Sequence, residues 1–484
     1  MNNFLSRVNK PDIYFPLLIV AVLATIYYLT LLPGIGYMGD TAKFQFLGKV
    51  LGTPHATGYP TYLLLNHLFV SVFNFGSLAM RVNLLSSIFT IGAALIEYFT
   101  LRQLKIRPVV SLSIVLTFCL GKTVWNQSVI AEVYTLNLLF LSTITFFFLK
   151  WHLTKIDRFF YLGCFFYALS FGNHLIMISC LPAIAYLVFV TDKKVFINLK
   201  KIIIILLFIL LGLSQYYYLY WRTISPNPVY LEIEVHNLND LFLILTGGQF
   251  QSAIFQFTSI NQVLLKIKKF GFFFVRELLI LILFPFIGFV LSKIKPLKIF
   301  LLLGFIGNVI LSFSYNIDDI WVYLIPSYFY LSILTAVGFE QVIDRLSGNK
   351  LQIFTVITVL IPLIFVGLNY QRNDMSKDTA DKVYIENVLS TIKTNGYIIN
   401  PGYDKFEYLK YYLLGEDLGV KNNIQMVNFE EAQSFLKQND PKSANYLPVY
   451  SLEEDQTKDL KNLGYCDEEV FNNFYIITNC SKNQ

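Results

Sequence analysis

One acidic residue stands out among the side chains that could do chemistry. Asp40 follows a bend containing Gly34, Gly36 and Gly39, within the stretch 33–81. Glycine lets the backbone turn freely, so the bend can present the carboxylate towards a cavity. A carboxylate in such a position can act as a general base that takes the proton of an attacking hydroxyl group. Because Asp is also a favoured N-cap residue, helix capping is the competing interpretation.

Further polar and aromatic residues mark the ends of long apolar runs. The candidates for substrate binding are His55, Tyr59, Arg81, Glu132, Tyr134, His174, Arg222 and Asp318. Histidine and arginine side chains suit the binding of an anionic phosphate or diphosphate group. Glu132 is also a second candidate for the base. For Glu132, His55 and His174, a purely structural role is an equally good interpretation.

Signals for a cofactor are weak in this sequence. Asp318 and Asp319 are adjacent, but two carboxylates without a third ligand indicate a metal site only weakly. We identify no zinc-type Cys/His spacing, no nucleotide-binding glycine-rich loop and no serine nucleophile motif. We therefore expect no cofactor, with a divalent metal left open. The net charge of +6 does not indicate a nucleic-acid partner, because Lys and Arg sit mostly in loops between apolar runs.

The elements that position these side chains are long apolar segments. The chain is 55% hydrophobic and 14% charged, whereas globular proteins carry about 25% charged residues. A mainly α-helical, polytopic membrane protein is therefore predicted, since about 20 apolar residues cross a bilayer. The predicted spans are 13–32, 82–101, 109–124, 135–150, 159–173, 175–191, 202–221, 271–292, 299–314, 320–338 and 351–369.

The distribution of Lys and Arg selects these eleven spans. A twelfth apolar run, 61–80, is interrupted by Asn66, His67 and Asn74, and counting it as a span would invert every later loop. Without it, most Lys and Arg residues fall on the side that holds the N-terminus, which the positive-inside rule places in the cytoplasm. The candidate site residues and the C-terminus are then predicted to be extracytoplasmic, with 61–80 on the outer surface.

A short helix is predicted between the two bends of the first outer loop, 33–81. Its apolar positions recur at helical spacing and alternate with Lys43, Gln45 and Lys49. This pattern is typical of an amphipathic helix that lies on a membrane face with its polar residues in water.

The tail from about residue 370 has a different composition. Short apolar runs at 396–400 and 423–428 alternate with helical patterns at 406–416 and 429–439. The chain is thus predicted to consist of a transmembrane domain, 1–369, and a small soluble α/β domain, 370–484. In an oxidising compartment Cys466 and Cys480 could pair; two free thiols are the alternative.

The order of several motifs resembles that of a known family. These motifs are Asp40 after the first span, LGTPHATGYPTYLLLN, Arg81-Val-Asn83, WNQSVIAEVYTLN, GNHL, TGGQF, DDIWVYLIP and NYQRNDMS. Over about residues 10–410 the chain resembles the glycosyltransferase C superfamily. Within that superfamily it is most similar to the protein O-mannosyltransferase family that includes transmembrane protein 260. Two positions depart from the family pattern: Lys43 replaces a usual glutamate, and Ala56-Thr57 replaces two usual prolines.

The resemblance implies an inverting glycosyltransferase that moves a mannose-like hexose from a polyprenyl-phosphate donor to a hydroxyl acceptor. It implies a catalytic carboxylate in the first outer loop, which is Asp40 here. We expect the protein to lie in the bacterial inner membrane. The acceptor is left open between protein, lipid and glycan. A transporter or lipid flippase of envelope glycans is the alternative, although such proteins tend to carry inverted repeats and charges near the middle of the membrane. A non-catalytic scaffold is a further alternative, which only Lys43 supports.

Overall fold

The computed structural model describes residues 10–392, 395–438 and 447–480. Packing divides the chain into two compact units, which do not follow the predicted boundary at residue 370. The first, here called the helical unit, contains Met1–Leu31, Thr53–Asn66 and Asn83–Met375. The second, here called the loop–sheet unit, contains Leu32–Gly52, His67–Val82 and Ser376–Gln484. Two pieces of the first loop therefore pack with the tail rather than with the spans.

Helices dominate the chain up to Asn373. In chain order they are α1 Pro11–Leu29, α2 Gly39–Val50, α3 Pro60–Val72, α4 Leu78–Gln103, α5 Pro108–Cys119, α6 Lys122–Ser128, α7 Tyr134–Thr154, α8 Asp157–Ser170, α9 Leu181–Asp192, α10 Leu199–Ser214, α11 Tyr217–Ile224, α12 Leu238–Leu245, α13 Ile260–Leu278, α14 Leu283–Leu291, α15 Lys295–Ser314, α16 Ile325–Ile343 and α17 Gly348–Asn373. Short 3-10 turns cover Leu175–Cys180, Lys193–Phe196, Gly248–Ala253, Leu279–Ile282 and Val322–Leu324.

Most of the predicted spans are present as helical segments. Within the described residues, nine segments are long and apolar enough to cross a membrane, or ten if α5 and α6, bent by 69°, form one span. The predicted span 159–173 differs, because α8 has only 14 residues. At 1.5 Å per residue it is about 21 Å long, which is too short to cross the roughly 30 Å of hydrocarbon. A helix is thus present at the predicted span 159–173, but it is shorter than the segments that are long enough to cross.

The run 61–80 is not one long helix. The helix α3 in this stretch has 13 residues, and a break separates it from α4. It is therefore too short for a span, in agreement with the prediction that excluded it.

The centre of the helical unit is α16. In the segment Val322–Ile343, 94% of the most apolar 18-residue stretch is buried. Its polar side chains bond to neighbouring helices: Ser332 Oγ donates to Glu97, and Ser327 Oγ donates to Asn308 Oδ1 at 2.6 Å. Such pairing is required because an unsatisfied polar group inside a membrane protein is costly.

The helix predicted in the first loop is present as α2, but its environment differs from the prediction. Lys43 and Gln45 are fully buried instead of facing water. Gln45 Nε2 donates to the carbonyl of Gly34 at 3.0 Å, and Lys43 lies beside two carboxylates. Because the tail packs over this helix, positions that a surface helix would expose are enclosed.

The tail forms the predicted α/β arrangement around a mixed sheet. Its helices are α18 Ala380–Ile392, α19 Tyr403–Lys410, α20 Leu418–Asn422, α21 Phe429–Gln438 and α22 Glu454–Asn462, with a π turn at Tyr411–Gly415. Its strands are β1 Gly396–Ile399, β2 Ile424–Val427, β3 Val449–Ser451, β4 Tyr465–Phe471 and β5 Phe474–Asn479. The strand order is β2-β1-β3-β5-β4, with β1 parallel to β2 and β3.

The sheet has a core of its own and a covalent closure. Its buried residues include Ile399, Val427, Val449 and Ile477. The β4–β5 hairpin is closed by a disulfide between Cys466 and Cys480. Of the two alternatives for these cysteines, the pairing is present.

Candidate active site

In the loop–sheet unit, the start of α2 is built against α19. The backbone N–H of Gly39 donates to Asp404 Oδ1 at 2.7 Å, so an aspartate distant in sequence caps this helix. The N-cap position itself is Met38, not Asp40, which excludes the N-cap role for Asp40. A β-carbon at Gly39 would lie 2.7 Å from the ring of Tyr403, so only glycine allows the two helices to approach this closely.

Asp40 lies in the first turn of α2 and contacts two charged or polar partners. Tyr403 Oη donates to Asp40 Oδ1 at 2.5 Å, and Lys43 Nζ lies 3.4 Å from the same oxygen. The Asp40 side chain is 35% exposed, whereas Lys43 is fully buried. Lys43 Nζ is also 3.8 Å from Glu407 Oε1 and 4.9 Å from the centre of the Tyr403 ring. The buried ammonium thus has the negative charges that burial requires.

Arg81 is the other predicted site residue in this unit, and its bonds are local. Its guanidinium donates to the carbonyl of Phe73 at 3.0 Å and to Asn74 Oδ1 at 2.9 Å. These contacts close the turn that precedes α4. They favour a structural role for Arg81 over binding of a phosphate.

The helical unit gathers four predicted residues and one additional tyrosine into an aromatic cluster. The cluster consists of His55, Tyr59, Tyr134, His174 and Tyr323. The centre of the His174 ring lies 5.8 Å from that of Tyr59, 5.6 Å from Tyr134 and 5.3 Å from Tyr323. Three separate segments of the chain therefore meet at His174.

His174 is neutral in this environment. Its Nδ1 accepts a hydrogen bond from the backbone N–H of Ile176 at 3.1 Å, which leaves the proton of the neutral ring on Nε2. Burial first, and the nearby charge of His55 second, lower the pKa of His174 from 6.5 to about 3. His174 can therefore donate a hydrogen bond to a ligand, but it does not supply the positive charge that the sequence suggested.

His55 is positioned by two segments that pair across the loop. The N–H of Thr53 donates to the carbonyl of Tyr230 at 3.0 Å, and the N–H of Glu232 donates to the carbonyl of Thr53 at 2.9 Å. This pairing brings His55 Nδ1 within 4.0 Å of Glu232, and its Nε2 lies 3.0 Å from Tyr59 Oη. His55 is thus flanked by a carboxylate that the sequence did not single out.

The acidic residues near the cluster are Glu132 and Asp319. Glu132 is buried and lies close enough to Tyr134 and Tyr323 for its negative charge to interact with their hydroxyl groups. Asp318, the predicted residue, is exposed. Its neighbour Asp319 acts on the same tyrosines and, together with the larger effect of burial, raises the pKa of Tyr315 to about 12. The aspartate that faces the cluster is therefore Asp319.

A group of positive charges escaped the sequence reasoning. Arg276 and Arg372 lie close enough to Lys122 for their charges to repel its ammonium, and Glu277 attracts it. The Glu277 carboxylate accepts the N–H of Thr123 at 3.1 Å and its hydroxyl at 2.7 Å, which fixes the start of α6. Lys122 opens the motif that contains Glu132, so its neighbourhood was the available signal. The two arginines come from distant helices.

Arg222 does not join either group in the structure. Its guanidinium stacks over the ring of Trp221, with 5.1 Å between them, and its charge acts on Tyr218. Within residues 10–392, 395–438 and 447–480, no group of three or more His, Cys, Asp or Glu side chains could hold a metal ion.

Comparisons with known proteins concern the family and the fold. Residues 40–196 match the family described as the protein O-mannosyl-transferase TMEM260 N-terminal domain. This stretch is similar to the TMEM260 N-terminal domain. The resemblance predicted from the motifs is therefore confirmed, and the matched stretch contains Asp40, His55, Glu132 and His174 among the predicted site residues.

Two curated relatives carry the TMEM260 name. A protein O-mannosyl-transferase TMEM260 from Mus musculus is 30% identical over 209 residues, which are 42% of this chain and 29% of the relative. The protein of the same name from Dictyostelium discoideum is 22% identical over 78% of this chain and 52% of the relative. The chain therefore spans about half or less of the length of these relatives.

The fold is that of glycosyltransferase C enzymes. ArnT from Cupriavidus metallidurans, bound to undecaprenyl phosphate, superposes with a TM-score of 0.62 at 11% identity, covering 95% of this chain and 97% of ArnT. The apo form of the same protein gives a TM-score of 0.61. This likeness confirms the predicted fold class, and with the many apolar helices it makes the chain an integral multi-pass membrane protein.

Proposed function

We propose that this protein is an inverting membrane glycosyltransferase that moves mannose from a polyprenyl-phosphate donor to a hydroxyl group of a protein. The observation that carries the proposal is Asp40. It is a partly exposed carboxylate held by Tyr403 and Lys43 at the start of α2, in a chain with a glycosyltransferase C fold. The names of the TMEM260 relatives support mannose and a protein acceptor. The undecaprenyl phosphate bound to ArnT supports a lipid-linked donor.

In the proposed reaction, Asp40 acts as the general base. The acceptor hydroxyl oxygen attacks the anomeric carbon of the sugar, and its proton passes to Asp40. A new carbon–oxygen bond forms on one face while the bond from the anomeric carbon to the phosphate oxygen breaks on the other, so the configuration inverts. The polyprenyl phosphate leaves as an anion and needs no proton from the protein. No cofactor enters this balance.

Within the helical unit, we propose that the three positive charges of Lys122, Arg276 and Arg372 bind a phosphate group. Two of them are arginines, which contact phosphate oxygens through two parallel hydrogen bonds. Glu277 offsets one of the three charges and is itself bonded to Thr123. A net positive site remains for an anion, which also stabilises negative charge as it develops on the leaving group.

Also within the helical unit, we propose that the aromatic cluster around His174 binds sugar hydroxyl groups. The neutral imidazole presents an Nε2–H, which donates a hydrogen bond to a sugar hydroxyl without attracting the phosphate. Glu132 and Asp319 offer acceptors for further hydroxyl groups. A few placed polar groups among apolar rings are typical of small-molecule sites. We further propose that transfer takes place on the extracytoplasmic face of a bacterial inner membrane.

The substitution Asp40→Asn tests the proposed function. Asn keeps the size of Asp but cannot take a proton, so transfer should fall by about 10²–10⁴-fold. The assay uses membranes that lack the native enzyme and contain the parent or the variant. It measures the transfer of tritiated mannose from undecaprenyl-phosphate mannose to protein, and release of the label by alkali identifies O-linked sugar. Transfer within threefold of the parent would exclude Asp40 as the base and make Glu132 the next candidate.

A further inference from the structure

The helices α2 and α19 face each other through matching positions. Each contributes residues spaced i, i+1 and i+4, namely Gly39, Asp40 and Lys43 from α2, and Tyr403, Asp404 and Glu407 from α19. Residues at this spacing lie on one face of a helix. The tail therefore contacts the first turn of α2, which holds Asp40, through one face of α19. Asp40 and Tyr403 are 363 residues apart in the sequence.

Contacts at one of its oxygens fix the orientation of the Asp40 carboxylate. Tyr403 Oη and Lys43 Nζ both contact Oδ1 of Asp40, at 2.5 and 3.4 Å. Holding one oxygen of a carboxylate sets the direction in which the other oxygen points. A base must lie within hydrogen-bond reach of the proton it removes, so a misdirected carboxylate loses rate even when it is present.

The ion pair between Lys43 and Glu407 maintains the charge balance next to Asp40. Lys43 is fully buried and Glu407 is almost so, with 2% of its side chain exposed, at 3.8 Å from each other. Without Glu407, Lys43 would lose one of its carboxylate neighbours and keep its contact with Asp40 at 3.4 Å. The ammonium would then draw Asp40 more tightly into an ion pair and away from an acceptor hydroxyl.

We propose that Tyr403 and Glu407 are positioning residues for Asp40, so that the tail helix α19 completes the site at which the acceptor hydroxyl is deprotonated. Tyr403 orients the carboxylate, and Glu407 neutralises Lys43 so that Asp40 remains available as a base. This inference rests on the proposed function of Asp40, and it assigns the tail a direct part in the reaction.

The first test removes one hydroxyl group from Tyr403. Tyr403 is 51% exposed, so Tyr403→Phe should leave the fold and the melting temperature unchanged. We expect kcat to fall about ten- to a hundredfold, with an unchanged KM for undecaprenyl-phosphate mannose. The matched control is Tyr412→Phe, which removes a tyrosine–carboxylate bond of 2.9 Å to Glu386 in the same unit, a bond that includes neither Asp40 nor Lys43. A kcat of Tyr403→Phe within twofold of this control would overturn the role of Tyr403.

The second test removes the charge of Glu407. Glu407→Gln should lower kcat at least about tenfold at unchanged donor KM, with Glu386→Gln as the control of parental activity. If Glu407→Gln does not fold, the double substitution Lys43→Met with Glu407→Gln removes both buried charges. A folded Glu407→Gln with parental kcat contradicts the role of Glu407. The double variant lacks the charge that Glu407 neutralises, so its kcat should stay within about threefold of the parent, and a loss of about tenfold or more in a folded double variant contradicts this role.

The variant Asp40→Asn, assayed alongside, separates failure of this inference from failure of the proposed function. If Asp40→Asn retains transfer, the base assignment itself is wrong and the positioning role falls with it. If Asp40→Asn loses transfer while Tyr403→Phe and Glu407→Gln keep it, Asp40 remains the base and only the positioning role is overturned.

Discussion

Replacing His174 by Asn should remove a pH dependence of stability that the structure makes large. His174 is 7% exposed, and its pKa is lowered from 6.5 to about 3, first by burial and then by the charge of His55. The unfolded chain binds the proton near pH 6.5, while the folded chain resists it until about pH 3. Protonation therefore favours the unfolded chain at every pH between these values.

The sign and size of the effect follow from this difference. Stability from His174 is fully present above about pH 6.5 and falls by about 1.4 kcal/mol per pH unit as the pH decreases. At about pH 5 the loss is about 2 kcal/mol, and its limit at very low pH is about 5 kcal/mol. Asn at this position can still accept the N–H of Ile176, because Asn is a favoured N-cap residue. The variant thus keeps the cap and loses the titrating ring.

The assay compares melting temperatures of parent and His174→Asn in detergent, at a fixed scan rate, between about pH 7.5 and about pH 5. Other groups titrate in both proteins, so only the difference between them is read. We expect the parent's advantage at the higher pH to shrink by about 4 °C at the lower pH, at roughly 2 °C per kcal/mol. His236→Asn is the control, because His236 is exposed and its ion pair with Glu234 contributes little. A difference between parent and His174→Asn that stays constant over this pH range would refute the neutral, buried state of His174.

Two further substitutions follow from the geometry. Gly39→Ala should lower both transfer and melting temperature, because its methyl group would lie 2.7 Å from the Tyr403 ring. The control is Gly271→Ala, whose methyl group meets nothing within 4 Å; it should lower neither, and the melting temperature can rise slightly because Ala favours a helix interior over Gly. Arg276→Gln should raise the donor KM for undecaprenyl-phosphate mannose at least about tenfold, since an arginine–phosphate bond is charge-assisted; an unchanged donor KM, measured in the same transfer assay, would place the phosphate elsewhere than beside Lys122.

The sequence by itself determined the membrane fold and the position of the candidate base. Long apolar runs must form helices in a bilayer, because only a helix satisfies its own backbone there, and ten of the eleven predicted spans are found as helical segments if the bent pair counts as one. In the tail, short apolar runs alternate with segments whose apolar residues recur with the helical period of 3.6, and this alternation predicted its strands and helices. Glycines before Asp40 indicated a bend, since glycine tolerates backbone conformations that other residues avoid.

Only the tertiary structure decided which charges meet and which side chains ionise. The pattern of α2 alone predicts that Lys43 faces water. Its burial beside Glu407 depends on α19, which comes from the far end of the chain. Likewise, the charges that act on Lys122 come from α13 and α17, and Asp319 rather than Asp318 faces the tyrosines. Local sequence fixes the period and the turns of an element. Burial and nearby charge depend on neighbours that folding brings together. Burial and the charge of His55 are what lower the pKa of His174.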